Sequence, residues 1–236
     1  MEKNNLITII LPTYNEAGNI LSLIRDIKKI LHKIRRECEI IIVDDNSPDQ
    51  TGYLVKKTFP YDGNIKVIIR KNEKGLASAI YLGIKKARGN YLVVMDTDYN
   101  HDPKIIKGLI SFLKRYELVI GSRYIKDGGM ENKTRYWLSY FFNLYIRLLL
   151  HHGVHDNLSG FFAIRKEDIH LLPTGLIFFG FGDYFMRLIF YANRKKMKMI
   201  ETPVYYKNRT WGESKSKFFP MLISYTDSAL KLRFSQ

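Results

Sequence analysis

The chain of 236 residues contains a single cysteine, Cys38, which excludes an internal disulfide and fits a reducing compartment. No apolar stretch reaches the ~20 residues that a membrane-spanning helix needs. The N-terminal residues 1–5 lead into a short strand-like run and lack the features of a secretory signal. We therefore expect a cytoplasmic protein without a spanning helix.

Acidic residues are scarce relative to basic ones. The chain has 38 Lys and Arg residues against 23 Asp and Glu residues, which gives a formal net charge of +15. This excess predicts an anionic partner, which is a nucleic acid, a phosphorylated metabolite or an acidic membrane surface, and the charge alone does not choose among them. A content of 46% hydrophobic and 26% charged residues is typical of a folded globular protein.

Strand-like and helix-like segments alternate in the first half of the chain. The predicted strands are 6–11, ended by Pro12, then 39–43, 65–69, 91–95 and 117–120. Helical spacing predicts a long helix that carries Ile20, Leu23, Ile24, Ile27, Ile30, Leu31 and Ile34, and a second helix from Lys74-Gly75 through Ala87. This order predicts an α/β fold with a parallel sheet covered by helices on both faces.

Two carboxylates follow the fourth predicted strand. Residues 91–95 lead directly into Asp96 and Asp98, which should lie just past the carboxyl edge of the sheet, where ligands bind in open α/β folds. Nearby carboxylates repel unless a cation joins them, and oxygen ligands suit Mg²⁺ or Mn²⁺. Because such a metal keeps sites for phosphate oxygens, the stretch predicts a metal–diphosphate site. The alternative is a solvated acidic loop.

The second half of the chain predicts two amphipathic helices. Residues 137–150 are apolar apart from Ser139, Asn143 and Arg147, which recur every fourth residue and form one polar stripe on a helix. This helix of about 21 Å is too short to cross a hydrocarbon core of ~30 Å, so it is either buried or lies in a membrane interface or lipid groove. The C-terminal helix carries Phe218, Leu222, Tyr225, Ala229 and Leu232 on one face, which packs on the domain or contacts a membrane.

Seven short motifs occur in order along the chain. They are Leu11-Pro12-Thr13-Tyr14-Asn15-Glu16, Val43-Asp44-Asp45-Asn46-Ser47, Arg70-Lys71-Asn72-Glu73-Lys74-Gly75, Met95-Asp96-Thr97-Asp98, Gly121-Ser122-Arg123-Tyr124, Ser159-Gly160-Phe161-Phe162-Ala163 and Gly212-Glu213-Ser214-Lys215. Together they resemble the family 2 inverting glycosyltransferases and, within them, the dolichyl-phosphate (polyprenyl-phosphate) mannose synthases. The resemblance implies a GT-A fold with a mainly parallel, Rossmann-like sheet. It also implies a catalytic domain over 1–217, followed by the amphipathic helix 218–236.

The resemblance also implies roles for particular residues. Pro12, Tyr14, Glu16, Val43 and Asp45 would hold the base and ribose of a nucleotide sugar, with Thr97 also on the donor side. Asp96 and Asp98 would bind Mg²⁺ or Mn²⁺, and Asn100 stands where relatives often have Gln as a further metal contact. Arg123 and Arg135 would handle phosphates, and Arg209, Ser214 and Lys215 would close over the donor. Asp98, Arg123, Arg135 and Lys215 are thereby the candidate catalytic residues.

The acceptor decides whether a general base is needed. A lipid phosphate is already an anion at neutral pH, so positioning by cations and exclusion of water would suffice. A sugar hydroxyl would instead need a carboxylate base, for which Asp156, close to Ser159 on the acceptor side, is the candidate. The first alternative predicts transfer of mannose from GDP-mannose to a polyprenyl phosphate, and the second predicts a UDP-sugar donor and a glycan acceptor.

The expected partners follow from these alternatives. We expect a nucleotide-sugar donor, a polyprenyl-phosphate acceptor and peripheral association with the cytoplasmic face of a membrane, but no nucleic acid. The sequence contains no feature that identifies a protein partner. A third hypothesis, a basic non-enzymatic module that binds nucleic acid or membrane, rests on the net charge alone and leaves the carboxylates at the strand ends unexplained.

Overall fold

Nine strands and nine α-helices form the computed structural model of the protein, which describes residues 6–207 and 218–234. The strands are β1 (Ile7–Thr13), β2 (Cys38–Asp44), β3 (Ile65–Ile69), β4 (Tyr91–Val94), β5 (Leu118–Ser122), β6 (Gly129–Met130), β7 (Phe162–Arg165), β8 (Met199–Pro203) and β9 (Tyr205–Tyr206). The helices are α1 (Ile20–Lys33), α2 (Thr51–Thr58), α3 (Leu76–Lys86), α4 (Ile106–Phe112), α5 (Lys133–Leu150), α6 (Lys166–Ile169), α7 (Thr174–Ile177), α8 (Tyr184–Arg194) and α9 (Phe218–Phe234). Within these described ranges, no helix combines the length and the apolar character needed to cross a membrane.

Seven of the strands form the main sheet, in the order β3-β2-β1-β4-β7-β5-β8. All neighbouring strands in it are parallel except β7, which runs antiparallel to both β4 and β5. The mainly parallel α/β sheet predicted from the sequence is confirmed, and the five predicted strands match β1 to β5 to within two residues at each end. Strands β7 and β8 were not predicted. The predicted domain boundary at residue 217 stays a prediction.

Both faces of the sheet are buried, because successive side chains of each strand point to opposite sides. On β1, Ile10 belongs to the apolar core beneath α3 and α8, and Ile9 belongs to the core beneath α1 and α4. The predicted amphipathic helix α1 buries Ile20, Leu23, Ile24, Ile27 and Leu31 in the second of these cores. The continuous apolar runs of the strands are therefore explained by helices on both faces.

Pro12 lies inside β1, so the prediction that it ends the strand is wrong. The Ile10 carbonyl accepts a hydrogen bond from the Met95 N–H group, on the side of β4. Alternate residues of a strand face the same neighbour, so the nitrogen of Pro12 faces this side too, beyond Val94, the last residue of β4 that pairs with β1. Because no ladder hydrogen bond is lost there, β1 continues through Pro12 to Thr13.

Helix α5 presents its apolar side to solvent and part of its polar stripe to the protein. Its buried side chains are Asn143, Ile146 and Leu150. Asn143 donates to the Ser139 carbonyl at 2.8 Å and accepts a hydrogen bond from the Asn157 N–H group at 2.6 Å. The large exposed side chains are Trp137, Leu138, Phe141, Tyr145 and Leu148. The alternative of a fully buried helix is therefore wrong.

Helix α9 packs on the domain through the predicted face. Tyr225, Ala229 and Leu232 are buried, and Leu222 is partly buried. Ala229 and Leu232 share an apolar cluster with Ile146 of α5 and Met186 of α8. The side chain of Phe218, also predicted on this face, lies outside the described part of the chain. The alternative in which this face packs on the domain is therefore confirmed for the three buried residues.

The contact between α3 and β1 leads to the first testable prediction. A Cβ atom at Gly83 would lie 2.4 Å from Cγ2 of Ile10, whereas a Cβ atom at Gly108 of α4 would meet no atom closer than 4.0 Å. We expect Gly83→Ala to lower the free energy of unfolding by about 1–3 kcal/mol through overpacking. Gly108→Ala should raise it by about 0.5–1 kcal/mol, because alanine favours the helix. Urea denaturation of both variants measures these changes, and equal effects would contradict the close contact.

Candidate active site

A cleft of about 510 Å³ lies where β1, β2 and β4 end at the carboxyl edge of the sheet. Its walls come from these strand ends, from the N-terminal parts of α3 and α5, from the segments before β7 and α8, and from α9. The lining residues are Pro12, Thr13, Tyr14, Glu16, Asp45, Lys74, Gly75, Leu76, Ala79, Asp96, Thr97, Asp98, Arg135, Leu158, Phe181, Gly182 and Tyr225. The carboxyl edge of the sheet, where we expected a ligand, is therefore concave and rich in charged groups.

Asp96 and Asp98 reach this cleft from the turn that follows β4. The Asp98 carboxylate accepts hydrogen bonds from the backbone N–H group of Asn100 at 3.1 Å and from its side-chain amide at 2.8 Å. The side chain of Asp98 is almost buried, whereas that of Asp96 is 46% exposed. Asn100, predicted as a metal ligand, does not line the cleft, and in this structure its amide nitrogen orients Asp98.

A chain of hydrogen bonds fixes the backbone of Asp96. The Asp96 N–H group donates to Nδ1 of His101 at 2.8 Å, so Nδ1 is unprotonated and Nε2 carries the ring proton. Nε2 lies 2.6 Å from the hydroxyl of Tyr206, which in turn donates to the Ser159 carbonyl at 3.0 Å. Burial raises the pKa of Tyr206, which keeps this hydroxyl protonated. The loop after β4 is thereby tied to the segment before β7.

His101 was not identified from the sequence. Its ring is fully buried and stacks on Phe161, with ring centroids 4.7 Å apart and planes 11° apart. A histidine five residues after Asp96 gives no signal by itself, since its partner Tyr206 is 105 residues away in the chain. Its role is to hold the residue that carries a cleft carboxylate.

Asp45, which follows β2 in the lining of the cleft, is held by Arg70 and Gly75. Nε of Arg70 donates to the Asp45 carboxylate at 2.6 Å, and the Gly75 N–H group donates to its other oxygen at 2.8 Å. Arg70 is itself buried and also donates to the Gly75 carbonyl at 2.8 Å. Gly75 has a φ of 141°, a conformation that favours glycine, at the start of α3. Arg70 stands in one of the seven motifs, but sequence reasoning gave it no role.

Side chains from the turn after β2 and from the start of α2 hold the turn after β1. The backbone N–H groups of Asn15, Glu16 and Ala17 donate to side-chain oxygens of three residues in this segment. These acceptors are Ser47 Oγ, Thr51 Oγ1 and Asp49 Oδ2, at 3.0, 2.9 and 2.9 Å. The two turns therefore form one unit, which presents Tyr14 and Glu16 to the cleft. Lys74 covers the Tyr14 ring, with Nζ 5.3 Å from the ring centroid.

Arg123 and Asp156 form a buried ion pair beside the cleft rather than in its lining. Two nitrogens of the Arg123 guanidinium donate to the two Asp156 oxygens, at 2.8 and 2.7 Å, and the Arg123 N–H group adds a third bond at 3.0 Å. Burial acts to lower the pKa of Arg123, but the Asp156 carboxylate raises it above the ordinary arginine value. Because both Asp156 oxygens are engaged and the residue is fully buried, it is poorly placed to act as a base.

The structure brings together most, but not all, of the predicted site residues. Those that line the cleft are Pro12, Tyr14, Glu16, Asp45, Asp96, Thr97, Asp98 and Arg135. Those that are buried outside the lining are Val43, Asn100, Arg123, Asp156 and Ser159. Arg209, Ser214 and Lys215 lie outside the described residues. The roles given to all of them stay predictions.

The carboxylates of the cleft suit a hard divalent cation. Within residues 6–207 and 218–234, no three His, Cys, Asp or Glu side chains come together in a metal-binding group. A site built from Asp96 and Asp98 would thus leave coordination positions for water and ligand oxygens, as Mg²⁺ and Mn²⁺ sites that bind phosphates do. The donor set therefore fits either metal bound together with a diphosphate.

Comparison with known proteins shows the family. The sequence profile described as glycosyl transferase family 2 matches residues 8–172. The chain therefore belongs to glycosyl transferase family 2, and it is a glycosyltransferase. The hypothesis of a basic non-enzymatic module is thereby wrong.

Three relatives match most of the chain. A dolichol-phosphate mannosyltransferase of Pyrococcus furiosus is 36% identical over 89% of this chain, which spans 59% of that relative's length. An undecaprenyl-phosphate mannosyltransferase of Micrococcus luteus is 31% identical over 87% of this chain and 85% of the relative. A polyprenol monophosphomannose synthase of Mycolicibacterium smegmatis is 31% identical over 88% of this chain and 79% of the relative.

Solved structures confirm the predicted GT-A fold. Glucosyl-3-phosphoglycerate synthase from Mycobacterium tuberculosis, in complex with Mn²⁺ and UDP-glucose, matches with a TM-score of 0.70 at 18% identity, over 98% of this chain and 79% of the other. The same synthase with Mg²⁺ and UDP matches with a TM-score of 0.67 at 17% identity, over 98% and 79% of the two chains.

The contact between His101 and Asp96 leads to the second prediction. His101→Leu removes the acceptor of the Asp96 N–H group and should lower the free energy of unfolding by about 1–3 kcal/mol. His101→Asn should cost less, because its amide oxygen takes a position similar to that of Nδ1 and can accept the same hydrogen bond. Urea denaturation compares the two variants. Equal losses would show that this hydrogen bond contributes nothing.

Proposed function

We propose that this glycosyltransferase moves mannose from GDP-mannose to a polyprenyl phosphate, with inversion at the anomeric carbon and with bound Mg²⁺ or Mn²⁺. The bond between the anomeric carbon and the GDP oxygen breaks, and both of its electrons leave with GDP. An oxygen of the polyprenyl phosphate forms the new bond on the opposite face of the sugar. All three relatives support this proposal, since each of their names joins mannose to a polyprenyl-type phosphate.

The observation that carries the proposal is the placement of α5. Arg135, in its first turn, lines the cleft, and the helix then carries an exposed apolar face. Trp137, Phe141, Tyr145 and Leu148 are spaced by four, four and three residues, so they share one side of the helix. One element would thus join a phosphate-binding arginine to an apolar surface, which is the combination that a lipid phosphate requires.

The donor would lie along the cleft. We assign the base and ribose to the end formed by the turns after β1 and β2, where Tyr14, Glu16 and Asp45 are held. Asp96 and Asp98 would hold the metal, which when bound would neutralise charge on the departing diphosphate. Arg135 would bind a phosphate oxygen. Val43, Asn100 and Arg123 would act by supporting these groups, and Arg209, Ser214 and Lys215 stay predicted contacts from the segment outside the described residues.

The acceptor phosphate needs no base, because it is already an anion at neutral pH. A glycan hydroxyl would need a carboxylate, and the candidate for that role, Asp156, is bound through both oxygens to Arg123. Ser159 lies beside this pair, with its hydroxyl 3.3 Å from that of Tyr206. The engagement of Asp156 favours the phosphate acceptor over the glycan.

Exposed apolar side chains on two helices support association with a membrane. Besides the face of α5, helix α9 exposes Ile223, Leu230 and Phe234. Helices α5 and α9 pack against each other, and α9 carries Lys231 and Arg233 in its last turn. Apolar side chains together with cations bind anionic lipid surfaces. We therefore propose that the protein associates peripherally with the cytoplasmic face of a membrane.

The third prediction tests the reaction and its metal site. The purified protein with GDP-mannose, Mn²⁺ and a polyprenyl phosphate should release GDP and give a mannosylated product that partitions into organic solvent. Asp98→Asn should slow GDP release by about 10²–10³-fold, because it removes a charge that would hold the metal. Asp127→Asn, a matched change in an exposed residue away from the cleft, should leave the rate unchanged.

Three outcomes would contradict the proposal. No release of GDP from any GDP-sugar or of UDP from any UDP-sugar would exclude the activity. A product that stays in water with a glycan acceptor would favour the hydroxyl alternative. A wild-type rate in Asp98→Asn would exclude the metal site.

The fourth prediction concerns the apolar face of α5. A variant with Phe141→Ser and Leu148→Ser should bind vesicles of equal parts phosphatidylcholine and phosphatidylglycerol roughly 10- to 100-fold more weakly, since two large apolar contacts are lost. Its unfolding should change little, because both side chains are exposed. The control is Tyr61→Ser, which alters a side chain that lies outside α5 and is 96% exposed. Co-sedimentation measures the binding, and equal binding by all three proteins would contradict this surface.

A further inference from the structure

The C-terminal helix contributes a side chain to the cleft. Tyr225 of α9 lines it beside Phe181 and Gly182, although α9 lies outside residues 8–172, which match the family profile. Tyr225 is only 4% exposed, so its ring fills a gap between α9 and the start of α8 rather than pointing into solvent. The sequence placed Tyr225 only on a helix face that packs on the domain or contacts a membrane.

Gly182 leaves the space that the Tyr225 hydroxyl occupies. A Cβ atom at position 182 would lie 2.3 Å from the Tyr225 hydroxyl oxygen, but 3.4 Å from the ring carbon that bears it. Gly182 does not have a positive φ, in contrast to its neighbour Gly180 with a φ of 70°. The backbone conformation at position 182 therefore does not require glycine. The space taken by the Tyr225 hydroxyl does require it.

The hydroxyl of Tyr225 is available as a hydrogen-bond donor. Its oxygen lies against Gly182 in the lining of the cleft, and a phenol carries one proton that it can donate. Burial first, and then the Asp183 carboxylate, raise the pKa of Tyr225, so the group is protonated at neutral pH.

Arg187 fixes this part of α9. Its guanidinium is buried, donates to Ser228 Oγ at 3.0 Å and to the Ile177 carbonyl at 2.9 Å, and pairs with Asp183. It also stacks on the Phe179 ring, 3.7 Å from the centroid. Ser228 lies three residues after Tyr225, on the next turn of the helix. The turn of α9 that follows Tyr225 is therefore fixed by polar contacts as well as by apolar packing.

We propose that Tyr225 is a donor-site residue, whose hydroxyl donates a hydrogen bond to an oxygen of the transferred sugar or of the adjoining β-phosphate of the bound nucleotide sugar, in a space that Gly182 keeps open. The inference rests on the proposed function, because it takes the cleft to be the donor site. It makes α9 part of the active site as well as part of the apolar surface.

The test begins with Tyr225→Phe, which removes one oxygen atom and keeps the ring. The Kd for GDP-mannose in the presence of Mn²⁺, and the KM for GDP-mannose, should rise about 3- to 10-fold if the acceptor is a neutral sugar oxygen and about 10- to 100-fold if it is a charged phosphate oxygen. The Kd for GMP should not change, because GMP lacks both the mannose and the β-phosphate of GDP-mannose. The Kd for GDP distinguishes the two possible acceptors: it rises with that of GDP-mannose if the hydroxyl binds a phosphate oxygen, and it stays constant if the hydroxyl binds the sugar.

The matched control is Tyr53→Phe, in α2 and outside the cleft, which should leave every Kd at the wild-type value. A second pair of variants tests the role of Gly182. Gly182→Ala should weaken GDP-mannose binding at least as much as Tyr225→Phe, because its methyl group displaces the hydroxyl. In the Tyr225→Phe background the same alanine should have little further effect, since the ring carbon at 3.4 Å tolerates it.

The outcomes separate this inference from the proposed function. If the wild-type protein binds and turns over GDP-mannose but Tyr225→Phe has the wild-type Kd and KM, the inference is wrong and the function stands. Strictly additive effects of Gly182→Ala and Tyr225→Phe would also overturn it. If the wild-type protein neither binds nor turns over any nucleotide sugar, the function fails, and the inference fails with it.

Discussion

Repulsion between carboxylates at the carboxyl edge of the sheet is the constraint on which the site depends. Asp45, Asp96 and Asp98 line one cleft, and nothing in the strands themselves would keep them there. The protein holds each one separately: Arg70 binds Asp45, Asn100 binds Asp98, and His101 binds the backbone of Asp96. Because these three residues are held before any ligand arrives, a divalent cation bound there together with a diphosphate would meet carboxylates that are already in position.

The order of strands and helices could be predicted because local patterns determine it. Apolar runs at β1 to β5 and the periodicity of α1 suffice for that, and the strand ends then place Asp45, Asp96 and Asp98 at one edge. Three kinds of feature could not be predicted. Strand β7 has four residues and shows no alternation of apolar and polar side chains. Pro12 is tolerated in β1 only because β4 ends early. The pairs Arg123–Asp156 and Tyr225–Gly182 join residues that lie far apart in the chain.

Helix α5 shows why a polar stripe does not tell which side of a helix is buried. The sequence defines one polar face and one apolar face but not the direction in which either points. Asn143 decides the direction here, because the Asn157 N–H group near the ion pair needs an acceptor and the Asn143 amide supplies it. With Asn143 turned inward, Ile146 and Leu150 are buried beside it, and Trp137, Phe141 and Leu148 are exposed. An enzyme that works on a lipid would use such an exposed apolar surface to contact its substrate.

The reversed direction of β7 has a structural consequence beyond the sheet. Strand β5 ends at the edge that carries the cleft, and β7 begins at that same edge, because Phe162 pairs with both Ile120 and Val94. The intervening residues 123–161 therefore leave and re-enter the sheet at one point, instead of crossing it from end to end as a parallel connection would. This closed excursion carries Arg135 of α5 and Leu158 to the same cleft as Asp96 and Asp98. A single connection between two neighbouring strands of the sheet thus supplies part of the wall of the cleft.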